Sequence, residues 1–311
     1  LFDYQVGKKG EEEVDLSNEN DEGLSQGINK DHVLKFVSSK GEGNQNINIW
    51  QQGGSGRLNQ GMVQNNLSEG FPVISPVKDG ARTESLGYLF NTTSLAGAKS
   101  VYEDLDYLFQ KDADGYYVYD SDEYYAYLKK ENGSFSKDFT AVDASYVGFY
   151  PFTDQRYISE KIEEASNEAV LGYTGVNHYF GMNISAGFIQ PEGGKIQNEG
   201  QGETPMIFEF SGDDDVWVFI DDVLVLDLGG IHGAVSGKIN FSTGEISVKD
   251  VGASAYTSDG TIKGKFEAAG KYEASDFSKN TFANYSSHTI KFFYLERGNS
   301  ASNCLIKFNF P

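Results

Sequence analysis

From about residue 177 onward, apolar and polar positions alternate with a period of two, the spacing that sets one face of a strand against a core. HYFGMNISAGF (178–188) is followed by PMIFEF (205–210), DVWVFI (215–220), VLVLDL (223–228), GKINFSTGEISVK (237–249) and HTIKFFYLE (288–296), with turn residues between them. Strands so close together, with no helix between them, predict an antiparallel β-sandwich. FSTGEI (241–246) reads as a hairpin tip. The runs 216–220 and 223–226 are apolar on both faces and are joined by Asp221-Asp222. They predict a central hairpin covered on both sides.

The first hundred residues are patterned differently. Short apolar pieces, HVLKFVSS (32–39), NINIWQQ (46–52) and GFPVIS (70–75), alternate with Gly/Asn-rich loops, and 10–23 reads as a solvated acidic loop. Val101, Leu105 and Leu108 fall at i, i+4 and i+7, which predicts a helix over 94–110. A Ser/Asp opening and a Lys-Lys/Gly133 close predict another over 121–132, and a third short one is expected over 159–170. No linker divides the chain. The expectation is one all-β-dominated domain, with 1–140 an elaboration carrying a few short helices and 141–311 the sandwich core.

Composition narrows the partners. The 22 Phe and 19 Tyr among 311 residues can fill a sizeable core. A net charge of −21 argues against nucleic acid and anionic membrane as partners and favours divalent cations. One cysteine, Cys304, excludes an intramolecular disulfide and a cysteine-based zinc site. No apolar run approaches the roughly 18 residues of a membrane span, so no membrane insertion by this segment is expected. The opening LFDYQVG lacks a Met and an apolar leader, as expected of a monomeric module cut from a longer protein.

The candidate chemistry sits in FSGDDDVWVFIDDVLVLDLGG (210–230), where Asp213, Asp214 and Asp215 precede one strand and Asp221 and Asp222 follow it. Adjacent side chains of an ideal strand point to opposite faces, so two neighbouring aspartates meet at one ion only if the backbone between them is unusual. A cis peptide is one such device, and Ca²⁺, with its six to eight oxygen ligands, is the ion suited to it. A solvated acidic turn is the competing account.

The block FEFSGDDDVWVFIDDVLVLDLGGIHGAVSGKINFSTGEI resembles the fibro-slime family, a branch of the anthrax-protective-antigen-like β-sandwich domains. SLGYLF (85–90), DADGYYVYDSDEYYAY (112–127), GFYPF (148–152) and FFYLERGNSASN (292–303) look like further blocks of it in order. The resemblance implies a jelly-roll-type sandwich. Its lectin branch, which includes the flocculins, binds sugar through Ca²⁺ held by an Asp-Asp pair with a cis peptide. Here that pair aligns with Asp213 and Asp214, the cis bond falling at 213–214 or 214–215.

The remaining ligands would come from the loop after the late strand: the Glu296 side chain and the carbonyls of Gly298 and Ser300, with Asn299 and Asn303 as alternatives. Asp215, Arg297, Asn299 and Asn303 are expected near the bound ligand. Glu296 departs from the family's usual Asn, which leaves open whether it closes the ion's last coordination position. The implied role is an extracellular, cell-surface adhesin module of a bacterium. Its partner would be a glycan on a host cell, a plant polysaccharide or a neighbouring microbe. A surface adhesin with a purely structural calcium and a carbohydrate-binding accessory of a larger enzyme are the alternatives.

Other motifs are weaker. Taken as an EF-hand loop, 112–123 has Tyr116 and Tyr117 at positions 5 and 6, so a D-G hairpin turn explains it better. Tyr116, Tyr117, Tyr119, Tyr124, Tyr125 and Tyr127 fit sheet packing more readily than a sugar platform. His32, His178, His232 and His288 are dispersed, and His232 is the one placed to support the metal loop. No nucleophile or metal-hydrolase motif is legible, so the chain is expected not to be an enzyme.

Overall fold

The computed structural model describes residues 1–4, 8–9, 12–13, 57–75, 85–94, 99–143, 148–153, 177, 179–198, 202–297 and 302–311. Two antiparallel sheets carry the architecture. The first runs, edge to edge, β14 (Val223–Leu228), β13 (Asp215–Ile220), β20 (Ser287–Glu296), β9 (Phe180–Ile189), β1 (Phe2–Tyr4) and β4 (Lys99–Val101). The second runs β17 (Thr257–Thr261), β16 (Glu245–Lys249), β15 (Val235–Asn240), β12 (Ile207–Gly212), β21 (Cys304–Phe308), β6 (Tyr117–Asp120) and β5 (Gln110–Lys111). Among the described residues four two-stranded ladders decorate them: β7 (Tyr124–Glu131) with β8 (Ser134–Asp143), β10 (Lys195–Asn198) with β11 (Gly202–Pro205), β18 (Phe277–Ser278) with β19 (Thr281–Phe282), and β2 (Lys8–Lys9) with β3 (Glu12–Glu13). No helix among the described residues is long and apolar enough to cross a membrane.

Strand β13 explains the layering. Val216, Val218 and Ile220 face the second sheet and join Phe208, Phe210, Ile239, Phe292, Tyr294 and Ile306 in one core. Trp217 and Phe219 face the other way and join Leu224, Phe293 and Leu295 beneath Met62, Ile74, Leu89 and Phe90. Every residue of β13 and β14 is therefore buried, as their continuous apolar runs require. Fully burying one such side chain contributes roughly 1.5–3 kcal/mol. N-terminal residues serve both as this outer cover and as strands of each sheet.

The hairpin itself closes through Asp221 and Asp222, with φ values of 47° and 65°. Asp222 thus occupies, without glycine, the left-handed position that a type I′ turn demands.

Two predicted helices do not form among the described residues, one being replaced by short strand and irregular chain and the other by a long strand. Over 94–110 the chain forms β4 and reaches β5, while φ turns positive at Asp104 (54°) and Tyr107 (69°). Sheet pairing overrides the helical spacing: Val101 pairs with Phe2, and Leu108 enters the core between the sheets. The 121–132 segment is β7, paired with β8 around Asn132-Gly133, whose φ values are 51° and 85°. The glycine read as a helix cap is the second residue of an Asn-Gly hairpin turn, and the tyrosines before it are strand formers. The segment 159–170 lies outside the described residues.

Among the described residues the α-helices are short: α1 (Gly87–Phe90) and α2 (Ile262–Ala268). Buried Lys99 closes the C-terminal end of α1 by donating to the Tyr88 carbonyl at 2.8 Å and to the Asn91 carbonyl at 2.8 Å. The Thr261 hydroxyl caps α2 by accepting from the Gly264 N–H at 3.1 Å.

Candidate metal centre

Asp213 and Asp214 lie between the last residue of β12 and the first of β13, where the chain passes from one sheet to the other. The peptide bond between them is cis. Close backbone approach holds this crossing. The Asp213 N–H donates to the Asn303 carbonyl at 3.2 Å, and a Cβ on Gly212 would lie 2.0 Å from that same oxygen. Only glycine lets β12 and the start of β21 come this near.

The three aspartates then diverge. Asp213 is 3% exposed, and its carboxylate accepts from the Asn303 side-chain amide at 3.2 Å. Asp214, 2% exposed, accepts the N–H of Arg297 at 3.1 Å and that of His232 at 3.3 Å. Asp215 is fully buried and takes the Arg297 guanidinium, Nε at 2.5 Å and Nη2 at 3.2 Å, together with the Gly230 N–H at 2.6 Å. Arg297 is itself fully buried. This pair neutralises one of the three carboxylates with an internal base, in the bidentate geometry that suits arginine.

Among the described residues no lysine, arginine or histidine side chain forms a salt bridge with Asp213 or Asp214. Burial raises the Asp213 pKa from 3.8 to about 6, against the lowering effect of its bonds to Asn303. Burial, and then the neighbouring Asp215 charge, raises that of Asp214 further. Two adjacent desolvated carboxylates are costly in the ionised state unless protons or a cation accompany them.

Asp227 on β14 is also buried and raised to about 6, chiefly by desolvation. Its oxygens have a defined role: they accept the N–H of Gly61 at 2.7 Å and of Gly229 at 3.1 Å, anchoring the N-terminal cover.

Glu296 ends β20, fully buried, and its carboxylate accepts from the Tyr294 hydroxyl at 3.2 Å. Burial chiefly, and then the charges of Glu296 and Asp213, push up the Tyr150 phenol, so the two carboxylates share a neighbourhood. Gly298, Asn299 and Ser300 lie outside the described residues. Asn303, beyond them, is in contact with Asp213. No group of three histidine, cysteine, aspartate or glutamate side chains converges as a metal-ligand set among the described residues. The donor chemistry at Asp213, Asp214 and Asn303 is nonetheless all oxygen, once the Asn303 amide turns its Oδ1 inward, and it fits a hard divalent cation.

His232 was legible only as a neighbour. Its backbone N–H holds Asp214, while its ring nitrogens lie 3.0 Å from the Leu228 and Gly233 carbonyls. Burial lowers its pKa. The Asp215–Arg297 pair is the feature missed in sequence: an Asp and an Arg more than eighty positions apart give no local signal. Of the six tyrosines, Tyr119, Tyr125 and Tyr127 are buried, and Tyr117 alone among these four is exposed.

No protein-family model and no solved structure matches the chain. The chain is similar to psi proteins of Dictyostelium discoideum. It is 36% identical to protein psiF over 103 residues, 33% of this chain and 11% of that protein. It is 47% identical to protein psiD over 68 residues (22% and 11%) and 57% identical to protein psiR over 46 (15% and 5%). The matches thus span about a tenth or less of each of these relatives. These relatives come from Dictyostelium discoideum and lend no support to the expected bacterial source.

Proposed function

We propose that the chain is an extracellular, cell-surface adhesin module of the fibro-slime type, bearing Ca²⁺ at the Asp213/Asp214 rim and using it to bind a glycan. The observation that supports this reading is the pair of adjacent, buried carboxylates, neither in a side-chain salt bridge among the described residues, next to a third that Arg297 neutralises. Asp213, Asp214 and Asn303 would hold the ion, with the loop after Arg297 completing the set. Arg297 and Asp215 would act as a fixed floor that positions Asp214 through the Arg297 N–H. The ion would supply coordination positions for vicinal sugar hydroxyls, and no reaction is required of this rim.

The test is calorimetric titration of calcium into the metal-stripped protein, followed by a glycan array in calcium and in chelator. Calcium binding lost in Asp213→Asn, with glycan signals that disappear in chelator, supports the lectin reading. Calcium binding without glycan signals moves the conclusion to a structural ion in a protein-binding or spacer module. No calcium binding overturns both.

A further inference from the structure

The opposite end of β13 carries a second constellation assembled from residues distant in sequence. His288 Nδ1 lies 2.6 Å from Asp221 Oδ2, and His288 Nε2 lies 2.6 Å from the Ser286 hydroxyl. The Asp221 carboxylate is fixed on its other oxygen by the Thr289 N–H at 2.9 Å. The imidazole is fixed in plane by stacking on Phe282, with ring centroids 3.7 Å apart. An Asp that orients the histidine tautomer and a histidine that faces a serine hydroxyl are the parts of an acyl-transfer relay.

His288 also borders a surface cleft of about 740 Å³ shared with Phe188, Ile189, Pro191, Tyr285 and Pro311. A donor for an oxyanion is available from the register. The Gln190 N–H donates to the Ser286 carbonyl, so Ser287 and Ile189 form a non-hydrogen-bonded pair of the ladder. The Ser287 N–H, next to the serine, therefore points away from β9.

We propose that Ser286, His288 and Asp221 form a nucleophilic site for carboxylic esters with a small apolar acyl group. Ser286 Oγ attacks the ester carbonyl as its proton passes to His288 Nε2. Asp221 balances the imidazolium, and the Ser287 N–H receives the oxyanion. The ester C–O bond then breaks, the leaving alcohol takes the proton from Nε2, and an acyl-serine remains. Water, deprotonated by the same nitrogen, releases the carboxylic acid and restores the serine. The Ser286 hydroxyl donates to the Ala283 carbonyl at 2.6 Å, which holds the oxygen facing the imidazole, and the proton turns from that carbonyl to Nε2 before attack. This site is independent of the calcium rim.

The experiment uses p-nitrophenyl acetate turnover and labelling by a fluorophosphonate, read by intact mass and peptide mapping. The expected result is one adduct per chain, at Ser286. Turnover should fall at least ~100-fold in Ser286→Ala and Asp221→Asn, the range of general-base contributions, and persist in Ser134→Ala, an exposed serine on β8 remote from the site. Asp221→Asn keeps the turn and the Thr289 bond, so it separates loss of chemistry from loss of fold, checked by an unchanged unfolding midpoint. Absence of labelling in folded wild type, or equal labelling in Ser286→Ala, overturns the proposal. The hydroxyl would then be committed to the Ala283 carbonyl, and the three side chains would serve as a clamp between hairpin and strand.

Discussion

Asp213→Asn separates a carboxylate kept for a ligand from one kept for the fold. The Asp213 pKa rises from 3.8 to about 6 on folding, which corresponds to about 3 kcal/mol disfavouring the ionised group at neutral pH. Asparagine has nearly the same shape and still offers an oxygen to the Asn303 amide. In chelator at pH 7 the variant should therefore be more stable than wild type, by up to about 3 kcal/mol.

The sign follows from the raised folded pKa. The protonated group's contribution is fully present below pH 3.8 and lost as pH rises through about 6. The advantage of the variant should thus shrink as pH falls from 7 towards 4. Calcium closes most of that gap. At a hundred times its dissociation constant it should stabilise wild type by about 2.7 kcal/mol and the variant hardly at all. The assay is urea unfolding of both proteins, in chelator and in excess calcium, across that pH range. A variant less stable than wild type in chelator, or one that gains as much from calcium, would refute the reasoning.

Three further outcomes follow from the same geometry. Arg297→Met leaves Asp215 buried with its charge uncompensated and should lower stability by about 3–5 kcal/mol, while adding Asp215→Leu should recover part of that loss in the same urea measurement. Gly212→Ala drives a Cβ against the Asn303 carbonyl and should cost about 1–3 kcal/mol. It should also weaken calcium binding more than tenfold by calorimetry, because Asn303 must move. Gly133→Ala, at a φ of 85° in the β7–β8 turn, should lower the unfolding midpoint by the equivalent of about 1 kcal/mol and leave calcium affinity unchanged.

The alternation after residue 177 is sufficient to define an antiparallel sandwich, and the doubly apolar hairpin shows that β13 and β14 are covered on both faces, but the expected central place of the hairpin is corrected by the topology, in which β14 is an edge strand. Strand burial is a local property, written in which side chains of a two-residue repeat are apolar. The crowding of Asp213, Asp214 and Asp215 is equally visible, and the structure shows all three buried where the chain passes from one sheet to the other. What each aspartate does was not visible, because that depends on what faces it. Arg297 reaches Asp215 from just past β20, Asn303 reaches Asp213 from just before β21, and both contacts are set by ladder register between segments more than eighty residues apart. The segment 94–110 shows the converse: Val101 and Leu108 have helical spacing, yet pairing with Phe2 and burial between the sheets outweigh a local preference of a few tenths of a kcal/mol per residue. The Ser286–His288–Asp221 array lies wholly on the tertiary side. No spacing rule connects a turn aspartate to a serine sixty-five positions later; only the return of β20 alongside β13 places them on one imidazole.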